Sequence, residues 1–167
     1  WDNCCGGGRN SVLVGKMGHN IYASDNAQNG VNNTQLLFDQ ENISGTVLLS
    51  DMTKCPFNDI AFHGIICWAA MHHNNFDNIK KTADCMHDSL VDNGCLMVSL
   101  VSTKSDGYKS GKEKERNTFV FDEGDDADVP HHYFDIDDIK EVFKKYKYEI
   151  IAEEVVNYIE TSLNDYY

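Results

Sequence analysis

The sequence predicts an α/β protein, a mostly parallel sheet with helices on both faces. Three observations predict it. Short β-branched or aromatic runs alternate with amphipathic helical stretches, and parallel strands need such crossovers between them. Three consecutive glycines, Gly6-Gly7-Gly8, stand between a short start and a helical stretch, as a strand, tight turn and helix would. Acidic residues, Asp25 and Asp51, close two of the strand-like runs.

Taken in order, Trp1 and Asp2 are all that remains of a strand before the glycine turn, and Arg9 to Met17 is the helix after it. Glycine suits that turn because a side chain would block close approach of the backbone and because glycine adopts positive φ without strain. Gly18 to Asp25 is a turn leading into a short strand. Asp25 follows Gly8 by 17 residues. An acid about 20 residues past such a turn accepts hydrogen bonds from ribose hydroxyls, and a helix cap fits the same position. Ala27 to Glu41 is a helix with Val31, Leu36, Leu37 and Phe38 as apolar contacts, and Thr46 to Ser50 reads as a compact buried strand. Asp51-Met52-Thr53 follows it, where a carboxylate can take an exocyclic amine of adenine.

Phe62 to Trp68 is the next strand, running into His72-His73. Adjacent histidines face different ways and no third ligand lies close in sequence, so no metal site is expected. Phe76 to Leu90 is a helix with Phe76, Ile79, Ala83, Met86 and Leu90 on one face, closed by Asn93-Gly94. Cys95 to Val101 is apolar enough for a strand buried on both faces. The polar stretch from Ser102 to Pro130 reads as a lid or binding loop, with Lys104 to Arg116 and Asp122 to Asp128 as solvated charge. Asp135 or Asp137 then caps a helix bearing Ile139, Val142, Phe143 and Tyr146. Tyr148 to Val156 is a sixth strand, and 157–167 a loop or the start of another element.

Composition narrows the function classes. At 167 residues the chain can form one domain with its own core. A net charge of −13 repels a phosphate backbone, so nucleic acid is not the expected partner. No apolar run reaches the ~20 residues of a membrane span. The six cysteines lack CxxC spacing, which fits reduced thiols in a cytoplasmic protein.

With these motifs in hand, the chain resembles the class I S-adenosylmethionine-dependent methyltransferases over essentially its full length. DNCCGGGRNS resembles their first motif, in the form where Arg-Asn follows the glycines in tellurite-resistance-type and small-molecule enzymes. YASDN resembles the second, LLSDMT the third and FHGIICWAAMHH the post-fourth strand. PHHYFDIDDIKEVFKKYKYEII is similar to the helix and strand that close many members. The resemblance implies a Rossmann-like sandwich, S-adenosyl-L-methionine as cofactor and in-line methyl transfer to a small-molecule acceptor. Asp2, Gly6 and Gly8 would shape the turn around the methionine portion, with Cys4 where the family's first glycine is expected. Asp25 would hold the ribose, and Asn26, beside it in the second motif, is counted with the cofactor site. Asp51 and Met52 would meet the adenine edge, and the backbone near Cys67 the methionine amino group. His72 would sit on the substrate side of the methyl group as the candidate base.

Three features depart from the pattern: Cys4, His63 in place of an acid before the fourth strand, and a first strand reduced to Trp1 and Asp2. The last, with no seventh strand after Tyr167, predicts a piece of a longer protein. A nucleoside-binding module without catalysis is the rival expectation. A nicotinamide-dependent dehydrogenase explains neither Asp51-Met52 nor glycines that do not form GxGxxG.

Overall fold

The computed structural model describes residues 1–124 and 126–152. Five parallel strands form the main sheet: β1 (Asp2–Asn3), β2 (Ile21–Asp25), β3 (Gly45–Leu49), β4 (Phe62–Cys67) and β5 (Leu90–Val98), in the order β3-β2-β1-β4-β5. Among the described residues four helices accompany them: α1 (Arg9–Lys16), α2 (Gln28–Glu41), α3 (Phe76–Asp88) and α4 (Ile136–Val142). The expected α/β class is observed.

Although β1 has two residues, it occupies the centre. Asp2 and Asn3 pair with Ala23 and Ser24 of β2, and Asp2 also pairs with Ile66 of β4. The Trp1 side chain reinforces this short contact, donating from Nε1 to Ser24 Oγ at 2.9 Å while its ring packs on Phe57 and Phe62.

Alternation along β2 shows how both faces are covered. Ile21 and Ala23 point to a cluster with Cys5 and Phe38, whereas Tyr22 packs with the larger cluster of Trp1, Phe57, Phe62, Ile65, Ile79 and Met86. The first cluster lies under α1 and α2, the second under α3 and α4.

Several expectations are corrected. β3 is an edge strand and largely exposed, because only β2 flanks it among the described residues. Leu36 of α2 is 55% exposed, since the buried stripe runs through Thr34 and Phe38 instead. α3 ends at Asp88, and Leu90 already pairs with Phe62, so Asn93-Gly94 belongs to β5. That strand is only half-buried, again as an edge.

The largest correction concerns 102–130. Here β6 (Lys112–Glu115), β7 (Thr118–Val120) and β8 (Pro130–His132) make a second, antiparallel sheet. Each residue of the charged run in β6 is exposed, while every residue of β7 is buried. Asp135 is the residue that caps α4, through a capping box with Asp138. Residues 148–152 carry no strand, and the remainder of the expected sixth strand lies outside the described residues.

Candidate functional site

In a doubly wound sheet, ligands bind beyond the strand ends where the chain order reverses. That reversal lies between β1 and β4, and a cleft of about 500 Å³ opens there.

One wall is the turn after β1. The amides of Cys4 and Cys5 both donate to the Ser24 carbonyl, at 2.8 and 3.0 Å, holding the chain against β2 before it reverses. Asp25 fixes the reversal: its Oδ2 accepts from Gly6 N at 2.7 Å and its Oδ1 from Ala27 N at 2.9 Å. Thr34 adds a hydroxyl bond to the Gly6 carbonyl at 3.0 Å. Asp25 therefore shapes the glycine turn and steadies the start of α2, while each oxygen keeps a lone pair for another donor.

The glycines have separate reasons. A Cβ on Gly8, where φ is +84°, would lie 2.8 Å from Thr34 Oγ1, so packing excludes a side chain. At Gly6 and Gly7 a Cβ would meet nothing within 4 Å among the described residues. Their emptiness faces the cleft. Among the described residues no side chain caps α1, and Arg9 and Asn10 of its first turn line the same space.

The opposite wall is the chain after β4, Trp68, Ala69 and Ala70. Ala69 has φ +53° and is pinned by its amide, which donates to Ser99 Oγ at 2.7 Å. Cys4, across the cleft, has φ +66°. Two non-glycine residues in the left-handed region thus flank the opening, a placement common at ligand clamps. Met52 also lines the cleft, its carbonyl held by Asn3 Nδ2 at 3.1 Å. His73, Asp126 and Val129 complete the lining, the last two from the loop between β7 and β8.

Of the residues expected from the sequence, Cys4, Gly6, Asp25, Asn26 and Met52 line this cleft. Asp2, Gly8, Asp51, Cys67 and His72 are not in its lining. Asp2 is buried beneath the turn, accepting from Ser11 Oγ at 2.5 Å, and burial pushes its pKa up. Asp51 folds back on Thr53, whose hydroxyl and amide donate to its Oδ1 at 2.6 and 2.8 Å and hold its pKa down. Cys67 is fully buried and its carbonyl accepts from Ser99 N. The Cys67 thiol, followed by burial, raises the pKa of Cys4, which makes Cys4 a poor nucleophile at neutral pH.

His72 stands behind His73. Its Nδ1 is buried without a hydrogen-bond partner among the described residues, and burial, followed by His73 and His131, lowers its pKa to about 3. Burial also lowers the pKa of His73. Cleft residues that the sequence did not assign to the cofactor site form two groups: Cys5, Gly7, Arg9 and Asn10 at the turn with Trp68 to Ala70 and His73 after β4, and Asp126 with Val129. The first group is adjacent to the motifs. The second becomes legible only when the second sheet is placed.

Comparison with known proteins adds to this geometry. The family described as methyltransferase domain matches residues 1–94. No curated protein matches the sequence. Among solved structures, a protein from Pyrococcus horikoshii superposes with TM-score 0.75 at 16% identity, covering 94% of this chain and 76% of that one. An S-adenosylmethionine-dependent methyltransferase from Clostridium acetobutylicum gives TM-score 0.68 at 15% identity, covering 86% and 70%. TehB from Haemophilus influenzae gives 0.63 at 17% identity, and the chain spans 86% of itself and 44% of TehB. At these identities the likeness is one of fold.

Proposed function

Since the chain belongs to the methyltransferase-domain family, whose methyl donor is S-adenosylmethionine, we propose that it methylates a small-molecule acceptor from the cleft between β1 and β4. The observation that carries this reading is the unobstructed backbone at Gly6 and Gly7 beside a carboxylate with open lone pairs. The residues present fit the donor. The cleft volume suits a ligand of nucleoside size.

When bound, the donor supplies an activated methyl on a sulfonium, which leaves as a neutral thioether after in-line attack. The chain's residues position and shield. Asp25 accepts from the ribose hydroxyls with the lone pairs that Gly6 and Ala27 leave free. Asn26 flanks the ribose, and Met52 packs on the adenine. The head of α1, with Arg9 and Asn10 at its start, favours the carboxylate of the methionine portion. Trp68 and Ala70 exclude water on the side where the acceptor enters. His72 is not given the role of base in this reading: a ring with its pKa near 3 is unprotonated at neutral pH but cannot retain a proton taken from an acceptor.

Calorimetry with S-adenosylmethionine on this chain and on Gly7→Leu tests the reading. A Cβ at Gly7 meets nothing and its φ is not in the left-handed region, so the variant keeps the fold while its side chain enters the cleft. Binding that weakens at least tenfold in Gly7→Leu, with an unchanged melting temperature, is expected. A folded native chain that does not bind, or a variant that binds equally well, overturns it.

A further inference from the structure

Where the second sheet meets the main one, His73, Asp126 and His131 converge. One donor atom from each lies within 4.8 Å of the other two. They come from three places: the segment after β4, the β7–β8 loop and β8. The fold, rather than any local motif, brings them together.

The hydrogen bonding around His131 carries the argument. Its Nδ1 lies 3.0 Å from the Val129 carbonyl, which can only accept, so Nδ1 bears the proton. In the neutral ring Nε2 is then a bare lone pair. It faces Asp126 Oδ2 at 3.6 Å, an acceptor facing an acceptor. Something positive belongs between them. The His73 ring packs 4.7 Å from His131, centroid to centroid, and brings a third donor to the same point. A cation coordinated by all three donors satisfies each. Two ligands about 2.0–2.1 Å from a tetrahedral ion stand about 3.4 Å apart, close to the separation seen between His131 and Asp126. A carbonyl on the far nitrogen is also the usual support for a metal-bound histidine.

We infer that His73, Asp126 and His131 form a binding site for a divalent first-row transition cation at the acceptor end of the cleft. Two imidazoles and one carboxylate suit such ions rather than calcium or magnesium. Three protein ligands leave at least one coordination position open, as in sites that engage substrate.

The inference rests on the methyltransferase reading for its consequence. His73 and Asp126 line the same cleft as Gly6, Gly7 and Asp25, so an acceptor held by the cation lies next to the donor. The acceptor class is therefore a small molecule with a metal-coordinating oxygen, nitrogen or sulfur. Coordination makes that heteroatom more acidic; its proton leaves to solvent, its electron pair forms the bond to the methyl carbon, and the sulfur–carbon bond breaks. No protein base is needed, in keeping with the buried His72.

The test is cobalt(II) titration of the chelator-treated chain, followed by calorimetry and visible absorption. One saturable equivalent is expected, with a spectrum lacking a thiolate charge-transfer band. Asp126→Asn and His73→Gln should each weaken it tenfold or more, while the exposed control His87→Gln does not. Asp126 is 58% exposed, so its variant folds even if a His131 variant does not. No binding, binding through thiolate, or equal affinity in Asp126→Asn would overturn the site and leave His131–Asp126 as an ion pair only. S-adenosylmethionine affinity measured with metal absent reports on the cofactor cleft separately, so either conclusion can fail without the other.

Discussion

Gly8 shows how one position can be dictated by two constraints that a substitution separates. Its φ of +84° strains any side chain, and its missing Cβ makes room for Thr34. Gly8→Ala should cost about 1–3 kcal/mol, measured by urea denaturation. In a Thr34→Gly background, where the lost Thr34–Gly6 hydrogen bond is common to both chains, Gly8→Ala should cost less by the steric share alone, because the backbone strain remains. No remaining cost in that background would show that φ at Gly8 costs nothing. The same residue scale explains what could be read from the sequence. Cys4, Gly6, Asp25, Asn26 and Met52 reach the cleft because they sit at strand ends, where topology alone fixes their neighbours. Asp51 also follows a strand, but a local turn with Thr53 takes its carboxylate, and a competing hydrogen bond two residues away is not visible as a pattern.

Among the elements, α4 is short and depends on its cap. Asp135 Oδ1 accepts from the amides of Asp137 and Asp138, both at 3.0 Å, and its other oxygen meets Arg116 and Asn117. Donation from the Asp138 amide, then Asn117 and Arg116, holds the Asp135 carboxyl below its ordinary pKa. A carboxyl held down in the folded state stabilises above the unfolded value of about 3.9 and loses that contribution as pH falls through the folded value. Asp135→Ala should therefore cost about 1 kcal/mol in thermal melts from pH 7 to 5, with the difference shrinking below about pH 4. A difference independent of pH down to 2 would assign the effect to packing rather than to the charged cap. The helix and its cap were legible because Asp-containing starts before an apolar stripe are a local signal. β6 was not: Lys112 to Glu115 has no apolar face, and it becomes a strand only because it borders β7, a buried Thr-Phe-Val of three residues. Registers of that kind are decided by the partner strand.

For the molecule as a whole, the order β3-β2-β1-β4-β5 places the cleft, and the second sheet closes it. The alternation of strands and helices made the first half of that statement readable from the sequence. The second half was not, because Asp126 and Val129 are far along the chain from Gly6 and meet its cleft only through tertiary packing. The loop that carries them is tied to its own sheet, with Asp128 N donating to Phe121 O at 3.0 Å and Val129 N to Asp126 O at 3.2 Å. A ligand filling the cleft touches both the glycine turn and this loop, so it should couple them without any direct bond between the two. Hydrogen exchange at saturating S-adenosylmethionine should then slow at Gly6 to Asn10 and also at Asp126 to Val129, since opening either wall would require breaking ligand contacts. Adding cobalt(II) alone should slow the second segment and leave the first unchanged, because its proposed ligands include Asp126 and none of the turn. Protection by S-adenosylmethionine confined to Gly6 to Asn10 would mean that the β7–β8 loop stands clear of the donor, and the acceptor end of the cleft would have to be sought elsewhere.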